Sequence, residues 1–157
     1  MKRGLLLAAL QLGIVSITGA KYLVDRSMSP RAWARSRPFD PNLPIRGRYV
    51  RLALDVKLDG GSPQGGAVKL LAKDSELHAV PTTEDTGNHL WWRQLGGDPV
   101  RLAEAVAFFI PEHIPDPSVR EAGEELWVEV TVPRKGPPRP IRLAVKKDSA
   151  FTILPIN

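Results

Sequence analysis

The hydrophobic positions of this chain follow two different rules. Residues 4–20 run for seventeen positions without a charge, and Tyr22, Leu23 and Val24 carry the apolar run past Lys21. From residue 50 the apolar positions come singly instead: Val50, Leu52, Leu54, Val56 and Leu58 alternate with Arg51, Ala53, Asp55 and Lys57. A continuous apolar run predicts a helix made for a membrane, whereas a period of two predicts a strand with one buried face. Seventeen helical residues cover roughly 25 Å, and the added apolar residues, with Lys21 snorkelling to the interface, bring the helix to bilayer thickness. Residues 1–24 are therefore expected to form a signal anchor or transmembrane helix. The same stretch also reads as a cleaved signal peptide, with Lys2 and Arg3 ahead of a Leu-rich centre and the small residues Thr18 and Ala20 at a cut site.

Further strands are predicted at 67–73, 76–80, 89–95, 101–110, 126–132, 141–145 and 151–156. Between them lie turn-forming stretches at 59–66, 81–88, 96–99 and 134–140. Asp116-Pro117-Ser118 is expected to start a short helix ending at Gly123, and 101–109 also reads as a helix on propensity alone. Short strands at turn-bounded spacing predict a mainly β fold, a small antiparallel barrel or sandwich with one short helix, preceded by the N-terminal hydrophobic helix. With 157 residues, 15 Pro and 13 Gly, the chain holds one such domain, expected at 47–157.

Residues 25–46 are expected to be a basic, Pro-containing stem. Ser29 to Arg35 is predicted as a capped helical turn, and Pro38, Pro41 and Pro44 impose an extended path after it. Charge sharpens this picture: residues 21–51 carry eight cations and two acids, while 52–157 carry twelve cations and fifteen acids. A basic segment beside a membrane helix is attracted to anionic headgroups, so the stem is expected to lie on its own membrane or to be a solvated linker. The cations are not interleaved with stacking aromatics, and no nucleic-acid partner is expected. Although Lys21, Arg26, Arg31, Arg35 and Arg37 follow the helix, the adjacent Lys2 and Arg3 and the long following domain predict a terminus that stays inside. The expected location is the inner (cytoplasmic) membrane, single-pass, with the C-terminal domain extracytoplasmic.

The segment Asp40-Pro41-Asn42-Leu43-Pro44-Ile45-Arg46-Gly47-Arg48-Tyr49-Val50-Arg51-Leu52 resembles the signature of the GDYXXLXY family, membrane-anchored bacterial proteins of unknown function. Gly47, Tyr49 and Leu52 stand in register with its motif, while Arg48 replaces the motif Asp and Leu54 its final Tyr. Ala107-Phe108-Phe109-Ile110-Pro111-Glu112, followed by a Val-rich strand, is similar to a later family segment. The resemblance implies an anchored domain that accompanies a multi-pass membrane protein.

Read from the residues alone, Gly47 supplies a turn or bulge at the strand entrance, Leu52 enters the core, and Tyr49 and Arg51 lie on the other face. The functional alternative makes Arg46, Arg48, Tyr49 and Arg51 an exposed cationic and aromatic surface for a partner protein or an anionic polymer. Chemistry is sparse elsewhere. His78, His89 and His113 have no metal-ligand spacing and read as surface or turn residues, Ser62, Ser75 and Ser118 lack a nucleophile-elbow setting, and Cys is absent. No catalytic residue, cofactor or metal is expected. Trp91 and Trp92 would stand on opposite faces of a strand. A binding or accessory domain beside an integral membrane protein is the expected function, with an envelope enzyme such as a wall hydrolase as the alternative.

Overall fold

The computed structural model describes residues 2–40, 49–60, 66–90 and 100–156. α1 (Lys2–Met28) is a single 27-residue helix. Its stretch Leu6–Val24 is long and apolar enough to cross a membrane, and no part of that stretch is buried against the rest of the chain. Leu6, Leu10, Ile14 and Ile17 all stand exposed. A helix that is apolar around its circumference and buries none of this stretch has the length and composition of a membrane span. Pro30, just past the helix end, lacks the amide needed to continue it.

Among the described residues the remaining elements are all strands: β1 (Arg31–Asp40), β2 (Tyr49–Leu58), β3 (Gly66–Lys73), β4 (Glu76–Pro81), β5 (His89–Leu90), β6 (Val100–Arg101), β7 (Val106–Phe109), β8 (Glu124–Thr131), β9 (Arg139–Lys147) and β10 (Ala150–Ile153). They form a ten-stranded sheet in the order β10-β9-β8-β1-β2-β4-β3-β5, with β6 and β7 pairing along β2. The mainly β class expected from the alternation is what forms. β7 comes close to β9, but the sheet curls around its core without closing into a barrel.

The stem is where the structure departs most from expectation. Residues 31–40 are not a linker and hold no helical turn; they are the central strand, antiparallel to β2 from Arg35↔Asp55 to Asp40↔Arg51 and to β8 from Arg31↔Thr131 to Ser36↔Leu126. The sheet therefore begins well ahead of residue 47. Ala32, Ala34 and Ser36 face inward and are buried, while Trp33, Arg35 and Arg37 face outward. The inward face is built of small residues because Leu52, Leu54, Val128 and Val130 from the flanking strands already fill the space. The Ser36 hydroxyl donates to the Leu126 carbonyl at 3.0 Å, so the one polar inward residue is satisfied. Pro38 sits next to a register shift, the position a strand proline tolerates.

The sheet is not purely antiparallel either. β4 forms an antiparallel hairpin with β3 through Asp74 and Ser75, both at positive φ as a tight two-residue turn requires. β4 then inserts parallel to both β1 (Trp33↔Glu76) and β2 (Lys57↔His78), so β1 and β2 diverge around it. The helix expected at 116–123 is replaced by turns, in which the Asp116 carboxylate accepts from the Ser118 amide at 2.8 Å. An Asx turn of this kind competes with helix initiation for the same amides.

β2 carries two buried faces over residues 52–56 rather than the single one its alternation predicts. Leu52, Leu54 and Val56 enter the core, as their period requires. On the opposite face the Asp55 side chain is only 1% exposed, bonded to Arg37 Nε at 3.1 Å and Arg101 Nε at 3.3 Å. The arginine stems cover it while their heads stay partly in water.

Two stability predictions follow from β2. Leu52→Ala should cost about 2 to 5 kcal/mol of unfolding free energy by cavity formation, and Tyr49→Ala, at a half-buried position, clearly less, as read by urea unfolding in detergent. Equal losses would contradict the assignment of the two faces. Replacing Arg37 and Arg101 together by Gln strands the Asp55 carboxylate in the sheet and should cost about 3 to 5 kcal/mol. Adding Asp55→Asn to that double variant should recover a large part of the loss; no recovery would mean that the arginines act by packing alone.

Candidate functional site

The predicted motif is divided by the strand that carries it. Arg46, Gly47 and Arg48 lie outside the described residues. Leu52 is 0% exposed and belongs to the core, whereas Tyr49 and Arg51 share the outward face of β2. There Tyr49 pairs in register with Phe109 of β7, their rings 6.0 Å apart and tilted by 56°. The Arg51 guanidinium lies 5.2 Å from the Phe39 ring centre, a cation–π geometry. Phe109 is 71% exposed and Phe39 42%, so two large aromatics stand in solvent beside Tyr49. An exposed aromatic cluster rimmed by a cation makes this face a candidate interaction surface. The sequence reading named Tyr49 and Arg51 but missed Phe39 and Phe109. The alternation of Val106 and Phe108 inward with Ala107 and Phe109 outward was the available signal for Phe109.

A second feature arises where β4 separates β1 from β2. The divergence leaves a cleft of about 260 Å³ walled by Trp33, Trp127, Arg35, Lys57, Glu76 and Asp55, among others. The ladder registers align Ala144, Trp127, Arg35, Asp55 and Arg101 across five strands, which sets cations beside acids on one outward row. Each carboxylate there has a cation: Arg35 meets Glu125 at 3.1 Å, Lys57 pairs with Glu76, and Asp55 is held by its two arginines. Trp127 Nε1 also donates to Glu125 at 3.1 Å. The Phe151 ring meets Trp33 edge-on at 4.8 Å and Trp127 at 6.2 Å, while Arg142 and Lys146 lie over the two indoles. Carboxylates held in ion pairs are poor proton shuttles, but indole faces with fixed charges nearby suit recognition.

His78 is not the surface or turn residue its context predicts. It sits in β4 with its side chain 9% exposed, Nδ1 2.9 Å from Asp59 Oδ1, and Lys73 Nζ lies 3.5 Å from Asp59 Oδ2. The His78 hydrogen bond holds the Asp59 carboxyl below the ordinary aspartate value of 3.8, with the charges of His78 and Lys73 adding to it against a counteracting desolvation. His89 and His113 are exposed. Among the described residues no three His, Cys, Asp or Glu side chains converge as metal ligands would. Trp91 and Trp92 lie outside the described residues.

No family model matches this chain, and neither does any curated protein or solved structure.

A carboxyl whose pKa is lowered by folding stabilises the fold above its unfolded value and loses that effect as pH falls through the folded one. The stability difference between the wild type and Asp59→Asn should therefore be steady above about pH 4 and shrink on acidification below it. Urea midpoints of both proteins from pH 6 to pH 2 measure this, and a difference that grew towards pH 2 would reverse the assigned direction.

Proposed function

We propose that this protein is a membrane-anchored binding domain: α1 holds it in the inner membrane as a single-pass anchor, the sheet lies on the extracytoplasmic side, and the domain serves as an accessory subunit of an integral membrane protein. The observation that carries this reading is the outward cluster of Tyr49, Phe109, Phe39 and Arg51. Aromatic and arginine side chains are the residue types that concentrate binding energy at protein interfaces. β1 spaces the cluster from the anchor: Phe39 lies eight residues beyond Arg31, about 26 Å at strand rise. The surface thus suits a part of the partner that projects from the bilayer. The GDYXXLXY resemblance, carried by Gly47, Tyr49 and Leu52, agrees with a companion role. An envelope hydrolase would need a free carboxyl or imidazole in the cleft, and the pairing of Asp55, Glu76 and Glu125 with cations favours binding over that chemistry.

The test is co-purification of the tagged full-length protein from detergent-solubilised membranes. Tyr49→Ala with Phe109→Ala should lower recovery of a membrane-protein partner by tenfold or more, about what one interface hot spot contributes, while lowering the thermal midpoint far less than Leu52→Ala does. Undiminished recovery would remove the cluster from the interface. The wild type should stay in the pellet after alkaline carbonate treatment, and a reporter fused after residue 157 should be active only if it works outside the cytoplasm. Cleavage of wall material that Glu76→Gln abolishes would establish the enzyme instead.

A further inference from the structure

A second cavity lies where the anchor meets the sheet. It measures about 460 Å³ and is bounded by Met28 and Pro30 at the end of α1, by Arg134 and Lys135 of the β8–β9 connection and by Arg139 at the start of β9. Three of its nine lining residues are cations and none is an acid. The cavity is built into the fold: the Val132 amide donates to the Pro30 carbonyl at 2.8 Å, and Arg31 pairs in register with Thr131, so the helix end and the β8–β9 end cannot separate without breaking the sheet.

Its height relative to a bilayer is set by one contact. The Arg139 guanidinium lies 5.8 Å from the Tyr22 ring centre, and Tyr22 belongs to the last turn of the apolar stretch Leu6–Val24. From Val24, where the apolar stretch ends, to Met28 is four helical residues, about 6 Å along the axis. Each polar headgroup layer is roughly 5 to 8 Å deep. The cationic cavity therefore begins at the hydrocarbon boundary and occupies the headgroup layer, where tyrosine and arginine are both at home.

We infer that this cavity binds the headgroup phosphate of an anionic phospholipid, Arg134, Lys135 and Arg139 supplying the cations. Guanidinium groups match phosphate oxygens in charge and in bidentate geometry. The structure takes this role away from two residues of the predicted basic stem, because Arg35 and Arg37 are engaged by Glu125 and Asp55 on the sheet's outer face. The inference rests on α1 lying in a bilayer but is independent of which side the sheet occupies.

The test uses the full-length protein in a nonionic detergent, titrated with phosphatidylglycerol or with phosphatidylcholine of the same chains, bound lipid being counted by native mass spectrometry. Surface cations are each worth roughly fivefold in binding to anionic lipid, so the wild type should prefer phosphatidylglycerol by up to a hundredfold, the preference weakening as salt rises. Replacing Arg134, Lys135 and Arg139 together by Gln should abolish the preference. Arg134→Gln alone, at an exposed turn that leaves the fold intact, should lower it about fivefold, while Lys69→Gln, at an exposed position of β3, should leave it unchanged. Equal retention of the two lipids by the wild type, or a preference that survives the triple variant, would overturn the inference. Inorganic phosphate that displaces phosphatidylglycerol at equal concentration would overturn the lipid as the source and leave a free phosphate site. Carbonate extraction of the triple variant separates the two levels: loss from the pellet for wild type and variant alike would sink the anchor, whereas retention of both leaves the lipid result to decide.

Discussion

The carboxylate of Asp55 is the point on which the arrangement of the sheet depends. It sits in the strand with the most neighbours, almost wholly withdrawn from water, and its two cations arrive from opposite edges of that strand. An unpaired charge in such a place would cost several kcal/mol, more than a marginal domain can spare. Arg37 must therefore come from β1 on one side and Arg101 from β6 on the other, which ties the segment just after the anchor to a segment 64 residues later. Apolar burial supplies most of the stabilisation, but it is non-directional; the paired charge selects which strands flank β2.

Once β1 is held in the middle of the sheet, the relation of the domain to α1 follows. Only Ser29 and Pro30 separate the end of α1 from the first residue of β1, so the helix runs into the central strand rather than into a tether. The bond from Val132 to Pro30 and the placing of Arg139 on Tyr22 fasten the same junction from the β8–β9 side. A domain mounted in this way keeps a set distance from the helix end, with a cationic cavity at their junction and the aromatic cluster a strand's length away.

The insertion of β4 between β1 and β2 is the other determining event. It opens the cleft between Trp33 and Trp127, and it brings His78 beside Asp59 at the end of β2. Gly87 of the β4–β5 connection and Gly136 of the β8–β9 connection meet, and a Cβ on Gly87 would approach the Gly136 Cα to 3.4 Å at a backbone angle that favours glycine. Asn88 Nδ2 donates to the Gly136 carbonyl at 2.9 Å and closes that contact. Short polar loops are thereby fixed to one another, and the outward faces keep their geometry.

The apolar helix, the mainly β class, most of the strands after residue 50 and the core position of Leu52 were legible in the chain, because each of these is written as a pattern of hydrophobicity along a single element. It also pointed to Tyr49 and Arg51 as outward residues of one strand. β1 escaped it for a physical reason: its buried face is Ala32, Ala34 and Ser36, too small to register as apolar, and its outer face is rich in arginine, so the strand has the composition of a linker. What makes it a strand is space left by Leu52, Leu54, Val128 and Val130 on its neighbours, a quantity no local window contains. The pairing of Tyr49 with Phe109, the burial of Asp55 and the cavity of Arg134, Lys135 and Arg139 likewise come from register between distant strands and from where the helix end meets the sheet, neither of which a stretch of neighbouring residues encodes.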